Sequence, residues 1–330
     1  MIAVIPIAGT GLRLRPHTYT QPKPLLPVAG KPIISYIIDQ LIESDIEEIV
    51  FIVGYLGEKI VNFINNTYPD LNKKFFTQEE RLGSAHAIWQ AREKIKEADE
   101  LLIFFGDTIV ETDFNRIFNA PSSCVGAMKV DDPGSYGVVE IDNNKIIRFE
   151  EKPAIPSSDI AMVGIYKIVE VPLFIKALSG IIDRGLELQQ EYSLTTVLSQ
   201  MTGYGIQFDV VMVDNWYDCG KIEALLETNA NFLDKKEALS LEVPTFYNSI
   251  IIHPVSIGEG CEIANSIIGP HVTIGHRVTI KNSIIKNSII SNFTNIREAI
   301  LHESIIGSDS SIVGITQKLN IGDNTDIDFR

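Results

Sequence analysis

Acidic side chains are missing from the first thirty-eight residues of the chain, although its 330 residues together carry a formal net charge of −15. A chain so acidic has no broad basic face, which argues against nonspecific nucleic-acid binding; one basic loop does not replace such a face. Cysteine is scarce. Cys124, Cys219 and Cys261 lie far apart with no C-x-x-C pair, a usage that suits a reducing compartment. No apolar run is long enough to cross a bilayer, and the short apolar start has neither a basic n-region nor a small-residue cleavage site. The expectation is a cytoplasmic protein with no membrane role. What the chain does have is 45% hydrophobic residues, enough for a full core in one large domain and a smaller one.

The acid-free stretch is itself organised. An apolar run, Ile2 to Ile7, reads as a buried strand. It is followed by Gly9-Thr10-Gly11-Leu12-Arg13, then by Arg15, His17, Lys23 and Lys31 between Pro16, Pro22, Pro24, Pro27 and Pro32. A glycine-rich turn after a strand lets backbone N–H groups approach phosphate oxygens, and Arg13 and Lys23 can neutralise their charge. Two familiar phosphate motifs fail here. A redox-dinucleotide fingerprint needs glycine where Leu14 stands, and a P-loop ending at Gly30-Lys31 needs glycine at Leu25 and serine or threonine at Pro32.

The letters match a different signature. Ala8-Gly9-Thr10-Gly11-Leu12-Arg13-Leu14, Pro16, Thr18, Pro22-Lys23-Pro24, Pro27-Val28 and Lys31-Pro32-Ile33 resemble the A-G-x-G-T-R-L-x-P-x-T-x-x-x-P-K-P, P-V, K-P-I pattern of the sugar-1-phosphate nucleotidylyltransferases. Leu12 departs from it, since the family has threonine there. The resemblance continues through Thr77 to Ala87, like the Q-E-x-x-L-G-x-A-H-A segment of glucose-1-phosphate thymidylyltransferases and uridylyltransferases. It also covers Gly106-Asp107, Tyr136-Gly137-Val138, Glu151-Lys152-Pro153 and Trp216-Tyr217-Asp218-Cys219-Gly220.

That resemblance implies a set of roles. The nucleotide would lie against Ala8, Gly9, Gly11 and Arg13, with the base read by Gln78 and Gly83. Arg13 would meet the triphosphate and leaving pyrophosphate, and Lys23 the α-phosphate. Lys152 would hold the sugar phosphate, while Glu151 and the Gly137 backbone would bind hydroxyls and Gly164 would keep the pocket open. Asp107 and Asp218 would hold Mg²⁺ through hard carboxylate oxygens, with Asp107 counted also among the catalytic residues. The chemistry is an in-line attack of a phosphate oxygen on the α-phosphorus, which needs alignment and charge neutralisation rather than a protein nucleophile. The implied partners are a nucleoside triphosphate, dTTP or UTP, and a sugar-1-phosphate, glucose-1-phosphate first. Mannose-1-phosphate guanylyl transfer, N-acetylglucosamine-1-phosphate uridylyl transfer and a non-catalytic regulatory homologue remain alternatives.

Patterning sets the architecture. Strand-like and helix-like segments alternate at Ile2–Ile7, Ile33–Glu43, Ile49–Val53, Glu58–Tyr68, Lys74–Thr77, Ser84–Lys96 and Leu101–Phe105. They predict an α/β fold, a Rossmann-like mixed, mostly parallel sheet with helices on both faces and ligands at the strand carboxyl ends. A β-rich insertion follows at Val125–Val130, Gly137–Ile141, Ile146–Phe149 and Ala161–Ile168, before a helix at Leu194–Met201, a strand at Gln207–Val213 and a helix at Lys221–Leu233. The catalytic domain is assigned to residues 1–236 and a linker to 237–246. Residues 247–330 carry isoleucines at six-residue and five-residue steps, Ile257, Ile263, Ile268, Ile274, Ile280, Ile285, Ile290, Ile296, Ile306 and Ile312. This is the rhythm of a left-handed parallel β-helix. Such a coil is expected to assemble homo-oligomers or bind a regulator; acetyl transfer by its histidines, His253, His271, His276 and His302, is the alternative role.

Overall fold

The computed structural model describes residues 1–44, 46–185, 191–237 and 245–314. The expected linker lies largely outside the described residues, as does the end of the expected coil beyond residue 314. Contacts group the chain into two units, Met1–Thr228 and Asn229 onward.

Nine strands build the sheet of the first unit: β1 (Ile2–Ile7), β2 (Glu48–Val53), β3 (Lys73–Thr77), β4 (Leu101–Phe104), β5 (Cys124–Lys129), β6 (Gly137–Asp142), β7 (Lys145–Glu151), β8 (Ile160–Ile168) and β9 (Phe208–Met212). Their order is β3-β2-β1-β4-β8-β5-β9-β7-β6. The first four are parallel. The sheet is mixed and mostly parallel: β8 runs antiparallel to both β4 and β5, and β7 antiparallel to both β9 and β6, against seven strands that share one direction. The hairpin between β6 and β7 shows one cause. Asn143 and Asn144 have φ of 48° and 64°, the left-handed pair that a two-residue turn between antiparallel strands requires.

Strand β1 explains why the sheet needs cover on both sides. Its alternate residues face opposite ways: Ile2 and Val4 join one apolar cluster, and Ala3, Ile5 and Ile7 the other. The first cluster includes Ala87 and Ile88 of the helix Ser84–Gln90 and Phe174 and Leu178 of the helix Val171–Asp183; the second includes Ile34 and Ile37 of Ile33–Ile42 and Ile60 and Ile64 of Gly57–Thr67. The single helix expected over Ser84–Lys96 is two, Ser84–Gln90 and Arg92–Ile95, broken at Ala91. No helix among the described residues is long and apolar enough to cross a membrane.

Among its described residues the second unit contains three parallel sheets of four short strands each. Successive strands of one sheet pair Ile250 with Ile267, Ile267 with Ile284 and Ile284 with Ile300, so a full coil takes 17 residues, then 17, then 16. A 17-residue coil holds one five-residue step, and the shortened coil holds two, on either side of Ile285. The side chains of Ile263, Ile268, Ile274, Ile280, Ile285, Ile290 and Ile296, drawn from all three sheets, join one buried cluster, with Ile257, Ile306 and Ile312 packed against it. At one corner Asn248, Asn265 and Asn282 all have positive φ, and their side-chain amides stack: Asn248 Nδ2 donates to Asn265 Oδ1 at 2.9 Å and Asn265 Nδ2 to Asn282 Oδ1 at 3.2 Å. Neighbouring isoleucines in this unit differ in energetic weight. Ile285 is wholly buried and Ile284 is 41% exposed. Ile285→Ala is therefore expected to lower stability by about 2–5 kcal/mol in urea unfolding, and Ile284→Ala to change it by no more than about 0.5 kcal/mol.

Candidate active site

The site begins where β1 ends. Gly11 sits at φ +64° and turns the chain into the short 3₁₀ segment Leu12–Leu14, a left-handed conformation that favours glycine. The Thr18 hydroxyl donates to the Gly11 carbonyl at 2.8 Å and holds the turn. Beside Gly9 there is open space, since an added Cβ would touch nothing within 4 Å. A second 3₁₀ segment, Lys23–Leu25, carries Lys23 inward until only 8% of the residue is exposed. Its ammonium donates to Asp107 Oδ2 at 2.7 Å.

Asp107 stands just beyond β4, and Asp218 arrives from another direction. A two-stranded ribbon pairs Asn215–Asp218 with Thr108–Glu111 so that Asp218 lies opposite Thr108, the neighbour of Asp107. Arg13 completes the group: a Cβ on Gly220 would come within 2.7 Å of Asp218 Oδ1 and 2.8 Å of Arg13 Nη2. The two carboxylates are electrostatically unequal. Burial pushes Asp107 up, but the Lys23 ammonium and then the Arg13 guanidinium outweigh it and hold the acid below its ordinary value. Asp218 is raised, first by burial and then by the charge of Asp107, against the opposing pull of Lys23 and Arg13. Between them Cys219 is buried, its thiol pushed up to about 12, and none of the three cysteines is joined to another.

A cleft of about 270 Å³ opens beside this group. Of the residues singled out in the sequence, Arg13, Asp107 and Asp218 line one part of it, and Gly137, Glu151, Lys152 and Gly164 another. Glu151 Oε2 accepts from the Ser193 hydroxyl at 2.8 Å and from that of Thr195. Ser193 also caps the helix Leu194–Gly203, accepting from Thr195 N at 3.1 Å. One hydroxyl thus serves both the helix cap and the Glu151 carboxylate. Lys152 Nζ stands 3.8 Å from Glu151 Oε1 and remains largely exposed. Gly164 packs against Phe105, whose ring an added Cβ would meet at 3.3 Å.

Ala8, Gly9, Gly11, Lys23, Gln78 and Gly83 do not line that cleft. Gly54 draws two of them together: a Cβ there would lie 2.8 Å from Ala8 Cβ and 3.0 Å from the Gln78 carbonyl. Ala8, Gly54 and Gln78 therefore gather at the carboxyl ends of β1, β2 and β3. Lys31, part of the same basic stretch, is occupied elsewhere, paired with Asp39 and lying over the Tyr36 ring at 4.6 Å. Leu12 is 59% exposed.

Some contributors escaped the sequence reading. Gly54 had a usable signal, a glycine directly after an apolar strand. Tyr136 and Trp216 meet edge-on at 4.7 Å and line the cleft, with the indole N–H donating to the Thr108 hydroxyl. Both lie within motifs whose neighbouring residues drew the attention.

A doubly wound α/β sheet with a basic turn and two aspartates at its strand ends defines a phosphate-handling, nucleotide-binding class. The chain belongs to the nucleotidyl transferase family, whose model matches residues 2–235. It is 35% identical over 239 residues to the bifunctional protein GlmU of Methanococcus maripaludis, a match covering 71% of this chain and 55% of that one, so it spans about half the relative's length. It is 27% identical to a glucose-1-phosphate thymidylyltransferase of Streptomyces griseus, covering 98% of each. A solved structure from Bacillus anthracis, provisionally assigned as a glucose-1-phosphate thymidylyltransferase and bound to sucrose, superposes with a TM-score of 0.62 at 27% identity, over 74% of this chain and 98% of its own.

The unequal aspartates make a stability test. Asp107, held low, stabilises the fold at every pH above its ordinary value of 3.8 and ceases to do so only as pH falls below it. Asp218, held high, opposes folding increasingly as pH rises above its ordinary value of 3.8, and fully once pH passes its raised value. Asp107→Asn is expected to cost about 1 kcal/mol throughout pH 4–7. Asp218→Asn should be at least as stable as the parent at pH 7, with the gap closing toward pH 4. Urea unfolding across that range measures both.

Proposed function

We propose that the chain transfers a nucleotidyl group from a nucleoside triphosphate to a sugar-1-phosphate, releasing pyrophosphate. The observation that carries this reading is the pairing of the buried Lys23 with Asp107, with Arg13 and Asp218 beside it, along a cleft also lined by Glu151 and Lys152. The acceptor phosphate oxygen bonds to the α-phosphorus as the bond to the bridging oxygen breaks, and the departing electron pair stays on pyrophosphate. Two anions must meet in this step. Arg13 offsets the charge of the triphosphate, and Lys23 that of the α-phosphate, where charge concentrates.

The residues fit a divalent cation. Asp107 and Asp218 offer hard oxygen donors, and the mutual repulsion that raises Asp218 is the kind a cation relieves. Among the described residues no three His, Cys, Asp or Glu side chains form a group able to hold a metal, so water and substrate oxygens would complete the shell. Mg²⁺ bound there would stabilise charge on the equatorial and leaving oxygens.

On the sugar side, Glu151 is oriented by two hydroxyl donors and can accept from a sugar hydroxyl with its remaining lone pairs. Lys152 would take the sugar phosphate, Gly137 would offer its backbone, and Gly164 leaves room. Gln78 and Gly83 would read the base, with dTTP or UTP and glucose-1-phosphate as the favoured substrates. The three-sheet coil is read as a left-handed parallel β-helix that assembles homo-oligomers of a cytoplasmic enzyme. Acetyl transfer gains no support from two coil histidines. His276 Nδ1 accepts from the Glu259 N–H at 3.1 Å, which leaves its Nε2 a donor, and His271 pairs with Asp234 at 2.8 Å.

Pyrophosphate release with Mg²⁺ should be measured for dTTP, UTP, GTP, CTP and ATP against glucose-, N-acetylglucosamine-, mannose- and galactose-1-phosphate. Release that depends on one particular sugar phosphate is expected; silence across the grid from folded protein would overturn the reading. Asp107→Asn and Asp218→Asn should each lower the Mg²⁺-dependent kcat by at least about 100-fold.

A further inference from the structure

We infer that His86 is a positioning residue that, as the second acceptor beside the Gly83 carbonyl, helps hold the polarity with which Gln78 reads a nucleobase, favouring bases that present a ring N–H beside a carbonyl. The inference rests on the reading of Gln78 and Gly83 as the base-contacting pair and adds what holds that pair in one state. Gln78 follows β3 and is only 5% exposed. Its Nε2 faces two partners, the Gly83 carbonyl at 3.1 Å and His86 Nδ1 at 3.0 Å. The carbonyl can only accept, so the amide must turn its NH₂ toward it.

The carbonyl itself cannot swing away. Gly83 has φ +108° and lies so close to the Tyr192 backbone that a Cβ would stand 2.4 Å from the Tyr192 carbonyl oxygen. The same Gly83 carbonyl also accepts from Ala87 N at 3.0 Å. With the amide oriented, the second hydrogen of Nε2 points at His86 Nδ1, which must then be the unprotonated ring nitrogen. His86 is held in place by stacking on Tyr192, with ring centroids 6.2 Å apart and planes at 24°.

This tautomer conflicts with Gln90, whose Nε2 lies 3.2 Å from His86 Nε2, would set two donors face to face there, and is also held by donating to the His86 carbonyl at 3.2 Å. Gln90 is partly exposed and can turn to water, whereas Gln78 is buried. The buried amide therefore decides. Its Oε1 accepts from no described residue and is not among the buried atoms left without a partner, so it is the face offered to a ligand. Next to it, the Gly83 N–H donates to no described carbonyl. One acceptor and one donor complement the ring N–H and carbonyl of thymine, uracil or guanine. Cytosine and adenine present the reverse pattern, a ring acceptor beside an amino donor.

The test compares parent, His86→Phe and His86→Gln. The first keeps a ring on Tyr192 but removes the acceptor; the second restores an acceptor oxygen. Binding of UTP against CTP, and of dTTP against dCTP, is measured by calorimetry, and kcat and KM for each in the Mg²⁺-dependent reaction. The parent should prefer UTP or dTTP, His86→Phe should lose at least about tenfold of that preference, mainly through KM, and His86→Gln should recover most of it. An unchanged ratio in folded His86→Phe, an equal loss in His86→Gln, or a parent without the preference overturns the inference. Selective binding in a parent that turns over no sugar phosphate would instead overturn the transferase reading and leave this one standing.

Discussion

A lysine ammonium buried among apolar strand ends is tolerable only when it is paired, and the contact between Lys23 and Asp107 meets that condition. It ties the basic turn after β1 to the end of β4, two segments eighty-four residues apart in the chain. The other charges arrange themselves around it. Arg13 and Asp218 approach each other over Gly220, where no side chain intervenes. Asp107 is thereby held below its ordinary value, while burial and then the charge of Asp107 raise Asp218, an imbalance that weighs on local stability.

The sequence was most legible where local rules and tertiary needs coincide. The apolar run Ile2–Ile7, the turn at Gly9 to Arg13 and the stepping isoleucines each have one economical structure, and each adopts it. Legibility fell where distant partners decide. Nothing in the stretch Ser84 to Lys96 announces a break at Ala91, because the two short helices are shaped by the apolar cluster that takes in Ala87, Ile88 and Ile95. The antiparallel entry of β8 between β4 and β5 is likewise invisible in its own residues, which are apolar on both faces and would suit either direction.

The site divided along the same line. Arg13, Asp107, Glu151 and Asp218 were legible as motif letters, and the cleft contains them. The contacts that make them usable were not: the two hydroxyls on Glu151 come from a segment forty residues away, and the wall formed by Tyr136 and Trp216 joins an insertion to a ribbon. Lys31 shows the converse. It lies in the same basic stretch as Arg13 and Lys23, yet Asp39 and the Tyr36 ring occupy it, so membership in a motif did not predict which cations remain available.

The division of β1 between two apolar clusters has a metric consequence. A slip of one residue would exchange the sets Ile2, Val4 and Ala3, Ile5, Ile7, turning each against the wrong cluster. The same slip would carry Gly9 and Gly11 along the strand axis by about 3.3 Å, more than the length of a hydrogen bond. Two cores that share one strand thus act as a ruler, setting the depth of the turn to within a single residue before any ligand arrives.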